Sequence, residues 1–91
     1  MKQVLVLPSF ERCVKKMTVQ EKKNLAKGLG AFNALLTTGQ APHGFRFKKI
    51  NHDKYEFRID IRLRAVVKTA GNIYYLVLVG SHEDIRRYLK N

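Results

Sequence analysis

The chain has 91 residues, and its 18 Lys and Arg against 7 Asp and Glu give a formal net charge of +11 and a pI near 10.2. This length predicts one domain, residues 1–91, and a hydrophobic fraction of 45% excludes a disordered basic tail. No apolar run approaches the roughly 20 residues that a membrane-spanning helix needs, so no membrane partner is expected.

The excess of positive charge must lie on the surface of so small a domain, where it attracts polyanions. Contact with nucleic acid or the ribosome is the first interpretation, and a solvated surface that keeps the chain soluble is the alternative. The one cysteine, Cys13, excludes an intrachain disulfide and is interpreted as a small core residue of a helix. The apolar run at residues 4–7 is too short for a signal peptide, so the expected location is the cytoplasm.

The first half of the chain predicts a strand followed by two helices. Residues 3–7 are of β type, and a helix over about residues 9–16 follows. Thr18 begins a second helix, because Thr18 and Glu21 fit a capping box, and Gly39 suits its C-terminal end. We expect the two helices to form a helical hairpin.

The second predicted helix has one apolar face and two internal glycines. Gly28 and Gly30 weaken a helix, and the close approach of another backbone would explain them. The apolar residues recur at helical spacing; they are Leu25, Leu29, Phe32 and Leu36.

From residue 45 onward the apolar period is two, which predicts strands with one buried face and one wet, charged face. The alternating segments are residues 45–48, 55–60 and 63–68, and the wholly apolar residues 73–79 predict a central strand. Turns are predicted at residues 51–54, 60–62 and 70–72. The spacing of Ser81 and Asp84 predicts the start of a short helix that ends at Lys90 and completes the order β-α-α-β-β-β-α. This order predicts an α+β fold with a helical hairpin on one face of a mainly antiparallel sheet.

Several side chains of the second half suit the chemistry of RNA. Cleavage of RNA without a metal ion uses the ribose 2′-hydroxyl as nucleophile, and it needs cations on the phosphate and groups that move protons. Arg58 and Arg64 lie on the charged face of the predicted strands, and a guanidinium binds two phosphate oxygens at once. The alternative is exposed arginines paired with Asp60 or Glu56. The three histidines lie on separate segments, so neither a metal nor another cofactor is expected.

Two residues near the C-terminus are candidates for the remaining chemistry. His82 follows the last strand, and histidine gives or takes a proton near neutral pH; the alternative is a surface histidine beside a capping serine. Tyr88 could stack on a base or share in proton transfer, or it could pack in the core beside Ile85. Since six helical residues turn about 120° around the axis, the two side chains converge only if His82 precedes the helix. Further basic residues predict contacts to the RNA backbone: Arg46, Lys48, Lys49, Lys54, Arg62, Arg86 and Arg87.

The order and spacing of several short segments resemble the RelE/ParE superfamily of type II toxin–antitoxin toxins. The segments are YEFRI at residues 55–59, LRAV at 63–66 and VLVGSH at 77–82, with Tyr88 after them. Residues 8–10, followed by two helices, match the N-terminal half of that family. The resemblance covers nearly the whole chain. It implies two N-terminal helices packed on a twisted, antiparallel sheet of about four strands.

The RelE branch of this family implies a ribosome-dependent endonuclease that cuts mRNA in the A site through 2′-hydroxyl attack. Its partners would be the ribosome, mRNA and a cognate antitoxin. The resemblance implies that Arg64 steadies the transition state and that Arg58 lies near the scissile phosphate. His82 falls where members carry Arg or His, and Tyr88 falls at a C-terminal tyrosine position. Some members carry two lysines where this chain has Glu56 and Arg58, so Glu56 is either a base or a partner of Arg58.

Two other functions stay open at this point. Members of the ParE branch lack the catalytic set and inhibit DNA gyrase by binding. A non-catalytic module that binds RNA or the ribosome would carry the same positive charge. The joint presence of Arg64, His82 and Tyr88 favours the nuclease branch.

Overall fold

The computed structural model describes residues 2–90. It confirms the predicted α+β fold, with five strands in place of about four. None of the helices within this range combines the length and apolar character that a bilayer crossing requires. In chain order the elements are β1 (Gln3–Val6), α1 (Pro8–Lys15), α2 (Val19–Thr38), β2 (Lys48–Asn51), β3 (Lys54–Arg58), β4 (Arg64–Ala70), β5 (Ile73–Gly80) and α3 (His82–Lys90).

The second helix begins and ends at the residues that the sequence predicts. The Thr18 hydroxyl accepts a hydrogen bond from Glu21 N at 3.1 Å, and Thr18 N donates to Glu21 Oε1 at 2.9 Å. An N-terminal cap of this type stabilises a helix by roughly 0.5–2 kcal/mol. Gly39 ends α2 in the left-handed region at a φ of 78°, and its N–H donates to Leu35 O. Both helices pack on one face of the sheet and supply its buried Phe10, Leu25 and Phe32.

The two glycines of α2 have different surroundings. A Cβ atom at Gly28 would lie 2.6 Å from Ile59 Cδ1 and 3.6 Å from Ile59 Cα, so α2 closely approaches the β3–β4 loop there. The close approach predicted from the sequence is therefore confirmed for Gly28. A Cβ atom at Gly30 would meet nothing within 4 Å, so the same prediction is wrong for Gly30.

The strand order in the sheet is β1-β5-β4-β3-β2, with β1 parallel to β5 and the other neighbours antiparallel. Because β5 lies between β1 and β4, it has the interior position that its apolar run predicts; Leu76, Val77 and Val79 are buried, and the rest of the run is half-buried. The register between β4 and β5 shifts, since Val67 pairs with Leu76 but Val66 pairs with Leu78. Val77 is thus the extra residue of a β-bulge, which bends β5 shortly before α3.

The prediction of a strand at residues 45–48 is wrong, because β2 begins only at Lys48. Gly44 and Arg46 have φ values of 85° and 56°, which interrupt an extended path. The segment makes one backbone hydrogen bond to β3, from Arg58 N to Phe45 O at 2.9 Å, and its apolar alternation reflects aromatic packing. Phe45 stacks on Phe57 with ring centroids 4.9 Å apart, and Phe47 stacks on Tyr55 at 5.0 Å.

The charged face of the C-terminal strands is less exposed to solvent than the sequence predicts. Residues 65–67 are fully buried one after another, and Glu56 is only 3% exposed. The reason is that both faces of the sheet are covered. The N-terminal helices cover one face, and α3 places Ile85 against Val66 and Val77 on the other.

Candidate functional site

Two arginines oppose each other at the end of the β3–β4 ladder. Arg58 is the register partner of Arg64, and Arg64 is in turn the partner of Gly80 at the end of β5. Both arginines are half-buried, and Arg58 Nε is buried without a hydrogen-bond partner. Like charges placed directly opposite each other destabilise a sheet. Two guanidinium groups held in this way are suited to sharing an anion between them.

Glu56 is the acid that accompanies this pair. Its Oε1 lies 3.4 Å from Lys48 Nζ and 3.9 Å from Arg64 Nη1, and its side chain is 4% exposed. Residues two apart on a strand share a face, so Glu56 and Arg58 lie on the same side of β3. Within 4.0 Å, and among residues 2–90, the ion-pair partners of Glu56 are Lys48 and Arg64; the pairing with Arg58 that the sequence suggests does not form.

The junction of β5 and α3 presents His82 next to these strands. Ser81 N donates to Asp84 Oδ2 at 2.9 Å, and Asp84 N donates to Ser81 Oγ at 3.1 Å, which caps α3 as the sequence predicts. The Ser81 N–H and hydroxyl lower the pKa of Asp84. A Cβ atom at Gly80 would lie 2.7 Å from Asp84 Oδ2, so a side chain there would push the Asp84 carboxylate away from this cap. His82 is the first residue of α3 and is exposed.

Tyr88 combines the two interpretations that its spacing leaves open. Its ring is half-buried and packs with Ile85 against Val66 and Val77, so it belongs to the core of that face. It also lines a surface cavity beside Gly80. Because His82 lies within α3, the two side chains point about 120° apart around the helix. The condition for their convergence is not met.

The other basic residues divide between the site and the rest of the surface. Lys48 joins the site through Glu56, whereas Lys54 lies at the far end of β3, about 13 Å from Arg58 along the strand. Lys54 Nζ pairs with Asp53 Oδ1 at 3.1 Å, and this hydrogen bond lowers the pKa of Asp53. Arg46 and Lys49 are exposed near the start of β2. On α3, Arg86 pairs with Glu83 at 3.9 Å and Arg87 pairs with Asp84 at 3.4 Å.

The β3–β4 loop contains no Gly or Pro, and the side chain of Asp60 stabilises its turn instead. Asp60 Oδ1 accepts hydrogen bonds from Arg62 N at 2.8 Å and Leu63 N at 2.9 Å. Its Oδ2 accepts one from Asn24 Nδ2 at 2.9 Å, which ties the loop to α2. Burial raises the pKa of Asp60, but these donors outweigh burial and hold the pKa below its ordinary value. Asp60 is therefore engaged by the loop, and Arg62 is presented to solvent.

A cavity of about 700 Å³ lies between α1, the β3–β4 loop and the β5–α3 junction. Its apolar lining includes Cys13, Met17 and Leu63. Arg12 and Lys16 of α1 line it as well, although the sequence offered no reason to single them out. Only the tertiary structure brings the exposed side of α1 next to Arg62 and Tyr88.

Residues 2–90 contain no cluster of three His, Cys, Asp or Glu side chains placed to hold a metal ion.

Neither a protein-family model nor a curated protein matches the chain. Solved structures do. A DinJ–YafQ toxin–antitoxin complex of E. coli aligns with a TM-score of 0.67 and 12% identity, covering 92% of this chain and 96% of that one. A RelB–RelE antitoxin–toxin complex of Methanococcus jannaschii gives 0.64 and 17%, covering 92% and 96%. The YoeB dimer of Staphylococcus aureus gives 0.65 and 16%, covering 89% and 97%. The chain has the RelE-like toxin fold.

The RelE-like fold confirms the architecture that the sequence resemblance implied. At these identities the likeness establishes the fold alone, so the chemistry has to be argued from the residues that this chain carries. Those residues are the opposed arginines, the buried Glu56 with Lys48, and the β5–α3 junction with His82.

Proposed function

We propose that this RelE-like chain is the toxin of a type II toxin–antitoxin pair and acts as a ribosome-dependent endonuclease. It would cut mRNA in the A site and so inhibit translation. The observation that carries the proposal is the opposed pair of Arg58 and Arg64 beside the junction that bears His82. The RelE-like fold and the net charge of +11 support it.

In the proposed reaction the ribose 2′-hydroxyl gives up its proton to a solvent water, the 2′-oxygen attacks the adjacent phosphorus, and the P–O5′ bond breaks. The products are a 2′,3′-cyclic phosphate and a free 5′-hydroxyl. Arg58 and Arg64 bind the non-bridging oxygens, whose negative charge increases in the transition state. His82 donates the proton that the leaving 5′-oxygen takes up. The cations in this scheme are guanidinium groups, so it requires neither a metal nor another cofactor.

Glu56 is assigned a positioning role in this proposal. The Glu56 side chain is 4% exposed, and its Oε1 lies 3.4 Å from Lys48 Nζ and 3.9 Å from Arg64 Nη1, so it contacts both cations and is turned away from solvent. It fixes the direction of Arg64 in a site that would otherwise contain only repelling cations. Tyr88 is assigned to contact with a nucleotide, because it lines the cavity.

The proposed partners are the ribosome with its mRNA and a cognate antitoxin. Two of the structural neighbours were solved as complexes of a toxin with its antitoxin. An antitoxin for this chain would need acidic segments, because the surface that it covers is strongly positive. The substrate places the reaction in the cytoplasm.

The decisive experiment is end mapping of a reporter mRNA in a reconstituted translation reaction. We expect cuts in A-site codons that require ribosomes, are absent with Arg64→Ala and His82→Ala, and persist with Lys27→Ala on α2. Intact mRNA with stalled translation would instead indicate that the chain inhibits translation by binding the ribosome without cutting mRNA. Intact mRNA with normal translation would contradict both, and inhibition of gyrase supercoiling would then indicate a ParE-like toxin.

A further inference from the structure

The cavity beside α1 has the composition of a nucleotide pocket. Its floor is apolar, with Met17, Leu63 and Leu78, and the half-buried ring of Tyr88 lies at one side. Its rim carries four basic side chains. An apolar floor with an aromatic ring suits a nucleobase, and a basic rim suits its phosphate. The basic residues of the rim are Arg12, Lys16, Arg62 and Arg87.

The acidic groups of the cavity are already engaged, so the rim keeps a positive charge. Asp84 Oδ2 accepts a hydrogen bond from Ser81 N and Asp84 Oδ1 pairs with Arg87, while Glu21 accepts from Thr18 N in the cap of α2. Among the described residues, no carboxylate lies within 4.0 Å of the cationic groups of Arg12, Lys16 or Arg62. Three cations are therefore available to an anion.

The place of the cavity in the fold connects it to the site described above. Gly80 and Ser81 line it, while Gly80 is also the register partner of Arg64. Arg64 therefore lies on the strand next to one wall of the cavity, and we expect an RNA strand with one phosphate on Arg64 to place a neighbouring nucleotide there. The volume of about 700 Å³ lies in the range of small-ligand pockets, roughly 300–1,000 Å³, and it suits one or two nucleotides better than a helix about 10 Å wide.

We propose that this cavity binds a nucleotide of single-stranded RNA next to the cleaved bond, with its base on the apolar floor and its phosphate between Arg12, Lys16 and Arg62. The inference rests on the proposed function for the identity of the strand. The site itself would exist for a nucleotide whether or not the chain cuts mRNA.

The first test is nuclear magnetic resonance titration of the full chain with adenosine 5′-monophosphate and, separately, with inorganic phosphate. We expect saturable amide shifts in residues 12–17 and 78–81 with the nucleotide and much smaller shifts with phosphate alone. Equal shifts with both probes would leave a phosphate site without a base pocket and overturn the proposal. Shifts confined to β3 and β4 would overturn it as well.

The second test compares two double variants that lose the same charge. Arg12→Ala/Lys16→Ala removes cations of the rim, whereas Lys23→Ala/Lys27→Ala removes exposed cations of α2 that do not line the cavity. Binding of a single-stranded RNA hexamer to the rim variant should weaken about tenfold or more, and the salt dependence should fall by about 1.4 log units. The control should change far less. Equal losses of RNA affinity in both variants would mean that RNA responds to the overall positive charge of the chain and not to the cavity, which would contradict the proposal.

The two proposals fail separately. If the wild-type chain cuts no mRNA but adenosine monophosphate shifts the cavity amides, the proposed nucleotide site is supported and the proposed nuclease activity is refuted. If mRNA is cut and the rim variant binds and cuts like the control, the nuclease activity is supported and the nucleotide site is refuted. Loss of antitoxin binding with unchanged RNA binding would assign the rim to a protein partner and overturn the inference.

Discussion

Arg58 and Arg64 are register partners across β3 and β4, so two guanidinium groups occupy neighbouring positions on one face of the sheet. Glu56 pairs with Arg64 at 3.9 Å, and among residues 2–90 Arg58 has no acidic partner within 4.0 Å. Directly opposed like charges cost stability, and a protein that retains them gains something other than stability. We interpret the pair as a phosphate site that is strained while it is empty.

The first prediction is that Arg58→Gln separates stability from activity. Removal of one of the two opposed charges and of the buried, unpaired Nε should raise the free energy of unfolding by about 0.2–1 kcal/mol. The same change should slow mRNA cleavage about a hundredfold or more, because a donor to the developing charge is lost. Urea unfolding and single-turnover cleavage measure the two effects. Lys27→Gln is the matched control, and a loss of stability in Arg58→Gln would refute the interpretation of strain.

The second prediction concerns Glu56→Gln. Loss of a buried charge that pairs with Lys48 and Arg64 should reduce the free energy of unfolding by about 1–3 kcal/mol. Cleavage by the folded fraction should fall less than about tenfold, and the pH dependence of the rate should keep its shape. A double-mutant cycle with Lys48→Met gives the coupling. A drop of more than about a hundredfold, with loss of the basic limb in the pH profile, would instead identify Glu56 as the general base.

The third prediction is that His82→Gln abolishes most of the cleavage without changing the fold. His82 is exposed at the first position of α3, so its replacement should alter the free energy of unfolding by less than about 0.5 kcal/mol. Loss of the proton donor should slow cleavage by a factor of about 10²–10⁴. The measurement is single-turnover cleavage on programmed ribosomes, and binding of the same RNA should persist. Unchanged cleavage would remove His82 from the mechanism.

The fourth prediction compares two glycine substitutions. Gly80→Ala would bring a Cβ atom to 2.7 Å from Asp84 Oδ2 and 3.0 Å from Asp84 Cβ, so the Asp84 side chain must leave its capping position or the start of α3 must shift. We expect a loss of about 1–3 kcal/mol in the free energy of unfolding and a large loss of cleavage. Gly30→Ala meets nothing within 4 Å in a helix and should gain about 0.5–1 kcal/mol with unchanged cleavage. Thermal unfolding checks both, and equal effects would contradict the packing described for Gly80.

The fifth prediction concerns acid stability. The pKa values of Asp53, Asp60 and Asp84 are held below the ordinary value of 3.8 in the folded chain. Their carboxylates therefore contribute stability that is complete above pH 3.8 and is lost as the pH falls through the folded values. Unfolding by urea at several pH values between about 5 and 2 should show this decline. It should be shallower in Asp60→Asn, and an identical pH dependence would show that Asp60 does not contribute.

The local elements could be predicted because their signals lie within a few residues of one another. The capping box of Thr18 with Glu21, the end of α2 at Gly39 and the cap of α3 by Ser81 and Asp84 all depend on contacts three or four residues apart. The run of apolar residues in β5 likewise gave its interior position. The segment at residues 45–47 could not be predicted, because its alternation arises from aromatic rings that pack on distant residues.

The candidate site was predictable in its residue types and only partly in its contacts. The period of two placed Arg58 and Arg64 on strands, but the register that makes them partners is a property of the sheet. The ion pairs of Glu56 depend on that same register, which brings Lys48 and Arg64 to it from both neighbouring strands. Lys54 belongs to the same basic run, yet its register position puts it near Asp53 at the other end of β3.

The sequence by itself determined the helices, their caps, the α+β class and the positive charge, because these depend on local spacing and on composition. Only the tertiary structure decided which charged groups meet. It opposed Arg58 to Arg64, buried Glu56 between two cations, and joined α1 to Tyr88 around a cavity. These contacts connect residues far apart in the chain, and sheet register together with packing against the helices sets them.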